Sequence, residues 1–161
     1  MRRLIPSLAI CWMALLPGCG FHLRGQAPLP PSLAAPYLET GDRYTPLYAA
    51  LVTHLRAAGA KLATDPAAAT AVIHLHKDET GRELLSVSAR NTPGEFEVYY
   101  SVEYSVTMAG GELLARQQAT LTRDFAYDEN AVLAKEHEER SLRAALADEL
   151  AGLMLRRLAA L

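Results

Sequence analysis

The stretch FEVYYSVEYSVTM, residues 96–108, decides the fold. Phe96, Val98, Tyr100, Val102, Tyr104, Val106 and Met108 are all apolar or aromatic. Between them lie Glu97, Tyr99, Ser101, Glu103, Ser105 and Thr107. Successive side chains of a strand point to opposite faces, so this alternation predicts one long strand with a buried face and a polar face. Ala109-Gly110-Gly111-Glu112 turns the chain. Leu113 to Phe125 then reads as its antiparallel partner, with Leu113, Ala115, Ala119, Leu121 and Phe125 inward.

Upstream, Asn91-Thr92-Pro93-Gly94 is hairpin punctuation. Before it, Leu84 to Arg90 alternates with Leu85, Val87 and Ala89 on one side. Glu79 to Arg82 reads as a turn. Val72 to His76 reads as a strand, with Ile73 and Leu75 facing one way and His74 and His76 the other. Ala60 to Ala63 opens a further extended segment, interrupted at Asp65-Pro66. Ala35 to Glu39 is a short strand, and Gly41-Asp42 turns away from it.

Two helices complete the pattern. Thr45-Pro46 supplies an N-cap and a proline at the first helical position, and Gly59 stands past the end. Tyr48, Leu51, Val52 and Leu55 form its apolar stripe. Asp128-Glu129-Asn130 is expected to cap a second helix running to about Leu158. Its stripe is Leu142, Leu146, Leu150, Leu153 and Leu158, with a charged opening from Lys135 to Arg140. Gly152 inside it suggests a close packing contact, since glycine costs a helix about 1 kcal/mol against alanine. An antiparallel sheet with one apolar face needs a cover, and two amphipathic helices supply it. The fold class is therefore α+β: a two-layer sandwich of a mostly antiparallel four-stranded sheet covered by two helices.

The first residues stand apart from this body. Met1-Arg2-Arg3 precedes an apolar run from Leu4 to Leu16 that is too short to span a bilayer. A charged head, a short apolar body and small residues at the end read as a secretory signal over residues 1–18. Leu16-Pro17-Gly18-Cys19 looks like a bacterial lipobox. It predicts a diacylglycerol and an N-acyl chain on Cys19 and a membrane anchor. Cys11 would leave with the signal, so no disulfide, thiol nucleophile or cysteine metal site would remain. Gly20, rather than an aspartate, follows the lipidated cysteine, a pattern sorted to the outer membrane on its periplasmic face. Residues 19–36 form the lipidated N-terminus and an extended tether rich in proline. Residues 37–161 form one domain.

Composition and motifs narrow the chemistry. A formal charge of −2 gives no field that favours nucleic acid. No nucleophile elbow, phosphate loop or His-Glu-X-X-His occurs. His74 and His76 have a spacing metals use, but a site needs further ligands, and the competing reading is a pair of exposed sheet-face histidines. Glu95, Glu97 and Glu103 share the polar strand face, as solvated groups or as an acid and base pair. An enzyme reading thus has no positive support, and neither a metal nor a soluble cofactor is expected. Tyr99 on the polar face suits an interface as well as ordinary packing. Arg90 beside the hairpin tip and Lys135 early in the last helix are surface charges, or they bind phosphate groups.

Cys19-Gly20-Phe21-His22-Leu23-Arg24-Gly25 resembles the mature start of the LptE family, lipopolysaccharide-assembly lipoproteins of Gram-negative outer membranes. Asp42 to Leu47 opening the first helix, Arg90-Asn91 before a long alternating strand, and Phe125 to Glu136 opening the second helix are similar to the family as well. The resemblance implies a two-layer sandwich that sits as a plug inside the LptD β-barrel. The pair would insert lipopolysaccharide into the outer leaflet, and the lipoprotein would help the barrel assemble. It also implies lipopolysaccharide binding by Arg90 and Lys135. Pro17 in the lipobox, the Pro-rich tether, the weak first strand and an inserted Thr-Pro at the hairpin tip depart from the family pattern. The competing reading is an auxiliary lipoprotein of another envelope lipid or solute transporter.

Overall fold

The computed structural model describes residues 29–161. The signal, Cys19 and the motif behind it lie outside the described residues. The chain forms β1 (Pro36–Glu39), α1 (Pro46–Ala57), β2 (Ala71–Val87), β3 (Pro93–Met108), β4 (Gly111–Ala126) and α2 (Val132–Leu158). The sheet order is β1-β2-β3-β4, with β1 parallel to β2 and the other pairs antiparallel. Both helices pack on one face. The expected class, α+β with a mostly antiparallel four-stranded sheet under two helices, is the observed one.

β3 behaves as its alternation demands. Val98, Tyr100, Val102, Tyr104 and Val106 are buried in the core. At its ends Phe96 is half-buried and Met108 exposed. α1 begins where Thr45 and Pro46 place it, with the Thr45 hydroxyl accepting from the Tyr48 N–H at 3.1 Å. Leu47, Leu51 and Leu55 are its fully buried positions, while Tyr48 and Val52 are half-buried. The stripe is thus centred one residue earlier than the sequence suggests, because α1 is covered by α2 as well as by the sheet.

Several expectations are corrected. Glu79–Arg82 is not a turn: β2 runs unbroken for 17 residues. Its register slips between Leu75 and Lys77, so His76 is an extra residue. Such a bulge inverts the alternation beyond it. Ile73 and Leu75 face the helices before the slip, and Asp78, Thr80, Arg82 and Leu84 face that side after it. The strand ends at Val87, leaving Ala89 and Arg90 in the turn, and Leu85 and Val87 are about half exposed. β4 slips similarly opposite Ser105. Leu114, not Leu113 or Ala115, is therefore the buried residue at that end. Ala60–Ala63 is no strand of the sheet. The Lys61 and Ala63 N–H groups donate to Ala34 and Pro36 at 2.8 and 2.9 Å and so cover the outer edge of β1. In the expected tether, Pro31–Leu33 forms a 3-10 turn, because Leu33 is buried in the core.

α2 starts later than expected. Asp128 closes a local turn by accepting from the Asn130 N–H at 2.9 Å, and Ala131 occupies the N-cap without a side-chain bond. Burial along α2 begins at Leu146 and continues through Ala147, Leu150, Ala151, Met154, Leu155 and Leu158. Leu142 is half-buried, and Leu153 faces outward. The His54 ring and the Asp148 carboxylate link the helices at 2.8 Å. Gly152 makes no close packing contact. A Cβ there would meet only the ends of the Arg156 and His54 side chains at 3.5 and 3.8 Å. Gly152→Ala should therefore stabilise the protein by up to about 1 kcal/mol, read as a higher urea midpoint with unchanged slope.

Candidate functional site

One end of the sandwich gathers the charges and exposed apolar side chains. It is built from the β2–β3 hairpin, the end of β4 and the start of α2. The hairpin closes with Ser88 N–H donating to the Thr92 carbonyl at 2.8 Å, and Asn91 takes a positive φ of 61°. Asparagine tolerates that left-handed conformation. The Ser88 hydroxyl accepts from the Arg90 N–H at 3.2 Å, which fixes the backbone of the tip while the Arg90 side chain lies exposed. At the neck, Tyr127 N–H donates to the Gly94 carbonyl at 2.8 Å. This bond ties the hairpin to the segment that opens α2.

Lys135 follows within the first turns of α2. Its ammonium bonds Glu138 at 2.8 Å. Bonds from the Asn130 backbone and side chain hold the nearby Asp128 carboxyl below its ordinary range, and the Lys135 charge adds to this. Arg90 and Lys135 thus share an end of the molecule, reached from two different elements. Among the described residues Arg90 has no acidic partner within ion-pair distance, whereas Lys135 has one.

The same elements carry exposed apolar side chains. Leu84, Leu85, Val87, Val132 and Leu133 are exposed by 51, 50, 55, 40 and 81 %. Beneath, Phe96 stacks on Phe125 at 5.9 Å and meets Tyr127 edge-on at 5.5 Å. Arg82 lies 4.7 Å from the Phe96 centroid and bonds Glu139 of α2 at 2.8 Å. Arg143 takes the other oxygen of Glu139 at 2.5 Å. Glu139 is thereby clamped between two guanidiniums and holds the start of α2 to the sheet. The sequence pattern singled out neither Arg82 nor Glu139, which are 57 residues apart.

The remaining candidates lie on the open sheet face, away from the helices. His74 pairs with Glu39 through Nδ1 and approaches the Thr107 hydroxyl through Nε2 at 2.8 Å. The His76 Nε2 lies 2.8 Å from the Ser105 hydroxyl, and the two rings stack at 6.0 Å. Among the described residues no group of three His, Cys, Asp or Glu is placed to hold a metal. Glu95 accepts from Ser86, Glu103 pairs with Arg116, and Glu97 sits between Glu83 and Asp124 in the register. No two of Glu95, Glu97 and Glu103 converge as an acid and base. Tyr99 lies over Gly81, where a Cβ would come within 2.5 Å of the phenol oxygen. That contact explains a glycine in mid-strand.

The chain is similar to known proteins over most of its length. A family model described as LptE, lipopolysaccharide-assembly, matches residues 34–158. The LPS-assembly lipoprotein LptE of Yersinia enterocolitica is 28 % identical over 142 residues, covering 88 % of this chain and 68 % of that one. The Pectobacterium atrosepticum protein of the same name is 28 % identical over 161 residues, covering 98 % and 86 %. Among solved structures, lipoprotein B from Nitrosomonas europaea superposes with a TM-score of 0.70 at 26 % identity, covering 88 % of this chain and 91 % of that one.

Proposed function

Since this chain belongs to the LptE family of lipopolysaccharide-assembly lipoproteins, we propose that it binds lipopolysaccharide at the hairpin end and serves as the plug of an LptD-like β-barrel. The family is one of assembly lipoproteins, not of enzymes. In this reading Cys19 carries the lipid anchor in the outer membrane, and the body faces the periplasm. The plug supports barrel assembly and the insertion of lipopolysaccharide into the outer leaflet.

The observation that carries the binding site is the pairing of Arg90 and Lys135 with exposed apolar side chains at one end. Lipopolysaccharide presents phosphates beside acyl chains. A guanidinium offers a forked donor to phosphate, and an ammonium offers a point charge. Leu84, Leu85, Val87 and Leu133 offer the apolar surface that acyl chains need. Glu138, already bonded to Lys135, must yield to an incoming phosphate, so Arg90 is the first contact and Lys135 the second. With the chain negative as a whole, attraction is local and weakens with salt.

Reversing both charges, Arg90→Glu with Lys135→Glu, should weaken lipopolysaccharide binding at least about tenfold in an equilibrium assay at low salt. Arg90 is exposed, whereas Lys135 is half-buried and paired with Glu138, so a modest drop in thermal midpoint is expected from Lys135→Glu alone and almost none from Arg90→Glu alone. Unchanged affinity would remove the site. The plug role is read separately, by purifying the protein from solubilised outer membrane. A β-barrel partner is the expected result, and recovery of an inner-membrane transporter instead would favour the auxiliary-lipoprotein reading.

A further inference from the structure

Tyr48 and Val52 belong to the apolar stripe of α1, yet both are only half-buried. They border a pocket of about 280 Å³ between α1, β1 and the segment that covers β1, where Leu38 and Leu62 add apolar surface. That volume is below the range of about 300–1,000 Å³ that takes a drug-sized molecule whole, so the pocket suits side chains of a longer ligand. Two cations border it: Arg43, from the loop before α1, and Arg56, in the last turn of α1. Arg43 donates to the Tyr37 hydroxyl at 2.9 Å and lies 6.0 Å from the centre of that ring. Neither guanidinium has an acidic partner within ion-pair distance among the described residues. No Asp, Glu, Asn or Gln lines the pocket. A sugar needs such groups to take its hydroxyl protons, and arginine only donates. The lining fits an anion with an apolar neighbour.

Spacing sets the shape of that anion. Tyr48, Val52 and Arg56 lie four apart on one face of α1, a row about 12 Å long. Arg43 stands beyond the Tyr48 end of the row and Arg56 closes the other. The covering segment supplies free backbone beside it. The Lys61 and Ala63 N–H groups are spent on β1. Direction alternates along an extended chain, so the N–H and C=O groups of Leu62 and Thr64 point away from β1. Neither of these N–H groups has a backbone partner among the described residues. An extended segment laid there gains main-chain hydrogen bonds, the mode of strand addition.

We propose that this groove takes an extended acidic–apolar–acidic segment of the barrel partner. Its carboxylates at positions i and i+4 bond Arg43 and Arg56, and its apolar side chain at i+2 sits among Tyr48, Val52 and Leu62. Alternate residues of a strand share a face, and four steps cover about 13 Å, which matches the row on α1. Only the barrel as donor of the segment rests on the plug reading. A loop or terminus of a surrounding barrel can reach the flank of its plug without displacing it. The groove uses neither Arg90 nor Lys135 and is separate from the hairpin end.

The probe is the peptide acetyl-Glu-Thr-Leu-Thr-Glu-amide, titrated at low salt into the full-length protein in detergent and read by NMR shifts of the Val52 and Leu62 methyls. Saturable shifts are expected. Arg43→Gln with Arg56→Gln should weaken binding about tenfold. Both side chains are exposed, and an unchanged urea midpoint checks that the fold is kept. The same residues ordered Thr-Glu-Leu-Glu-Thr put the carboxylates and the leucine on opposite faces and should bind about tenfold more weakly. In membranes, a photo-cross-linker in place of Thr64, an exposed residue of the lining, should capture the barrel at a segment with the proposed pattern. Equal binding of the two peptides, indifference to the double substitution, or capture at a segment without the two acids would overturn the proposal. So would displacement of the peptide by lipopolysaccharide, which would make the groove a lipid site. Recovery of no barrel at all would strike the plug reading and the barrel as donor, while binding of the first peptide but not the second would still establish the specificity of the groove.

Discussion

Leu150→Ala should cost the folded state about 3–4 kcal/mol, the largest effect of any single truncation considered. Leu150 is fully buried on α2 among Leu146, Met154 and the leucines of α1. Removing its isobutyl group forfeits the transfer free energy of the buried methylenes. It also leaves a void that two packed helices and a sheet cannot collapse around. Domains of this size are stable by about 5–15 kcal/mol, so the loss is a sizeable fraction of the whole. Urea unfolding should show a lower midpoint with an unchanged slope. Two other leucines on the helix set the scale. Leu153→Ala and Leu133→Ala remove side chains exposed by 37 and 81 % and should change stability by about 0.5 kcal/mol or less. A comparable loss at Leu133 would mean that the start of α2 is packed in solution against something outside the described residues.

That contrast marks what the amino-acid order reveals and what it hides. β3 was legible because both of its faces are patterned, and a strand with seven alternate apolar residues has one sensible orientation. α1 was legible because Thr45, Pro46 and Gly59 bracket it. The bulges were not legible. An extra residue at His76 leaves no compositional mark, yet it inverts every side chain after it. Lys77-Asp78-Glu79-Thr80-Gly81-Arg82 therefore looks like a polar turn when it is strand. Polar residues are tolerated there because one face is open and the other is lined by Asp78, Thr80 and Arg82, each with a bonding partner. Leu153 was placed in the α2 stripe and Met154 missed, because leucines alone do not fix the phase of a helix whose small residues also face the core. Of the candidate site, local pattern marks Arg90 beside a hairpin tip and Lys135 early in a helix only as charges, and their binding role rests on the resemblance to the family. The clamp of Glu139 by Arg82 and Arg143 depends on a contact between distant elements that no local pattern announces.

Tyr100→Phe should destabilise the protein by about 2–4 kcal/mol and also change how its stability responds to alkali. The Tyr100 hydroxyl donates to the Asp78 carboxylate at 2.7 Å and accepts from the Leu47 N–H at 3.3 Å. The other Asp78 oxygen accepts from the Thr45 hydroxyl at 2.5 Å, and Thr45 in turn caps Tyr48. One phenol oxygen thus ties β3 to β2 and satisfies an N–H at the start of α1, in a site where Tyr100 is 1 % exposed. Phenylalanine keeps the ring and its packing. It leaves the Leu47 N–H without a partner and deprives a carboxylate of a donor, and hydrogen bonds to charged groups cost the most to lose. Burial, and secondarily the adjacent Asp78 carboxylate, push the Tyr100 hydroxyl well above its ordinary pKa. The folded state therefore holds this proton more tightly than the unfolded chain does. Its contribution is complete below pH ~10, where a free tyrosine titrates, and is lost as pH rises beyond that. Urea midpoints measured from pH 8 to 11 should fall steeply above pH ~10 in the parent and less steeply in Tyr100→Phe. A remainder should persist from Tyr104, which burial also raises. Equal slopes in the two proteins would mean that the phenol is open to solvent and that the Thr45–Asp78–Tyr100 chain does not hold the start of α1.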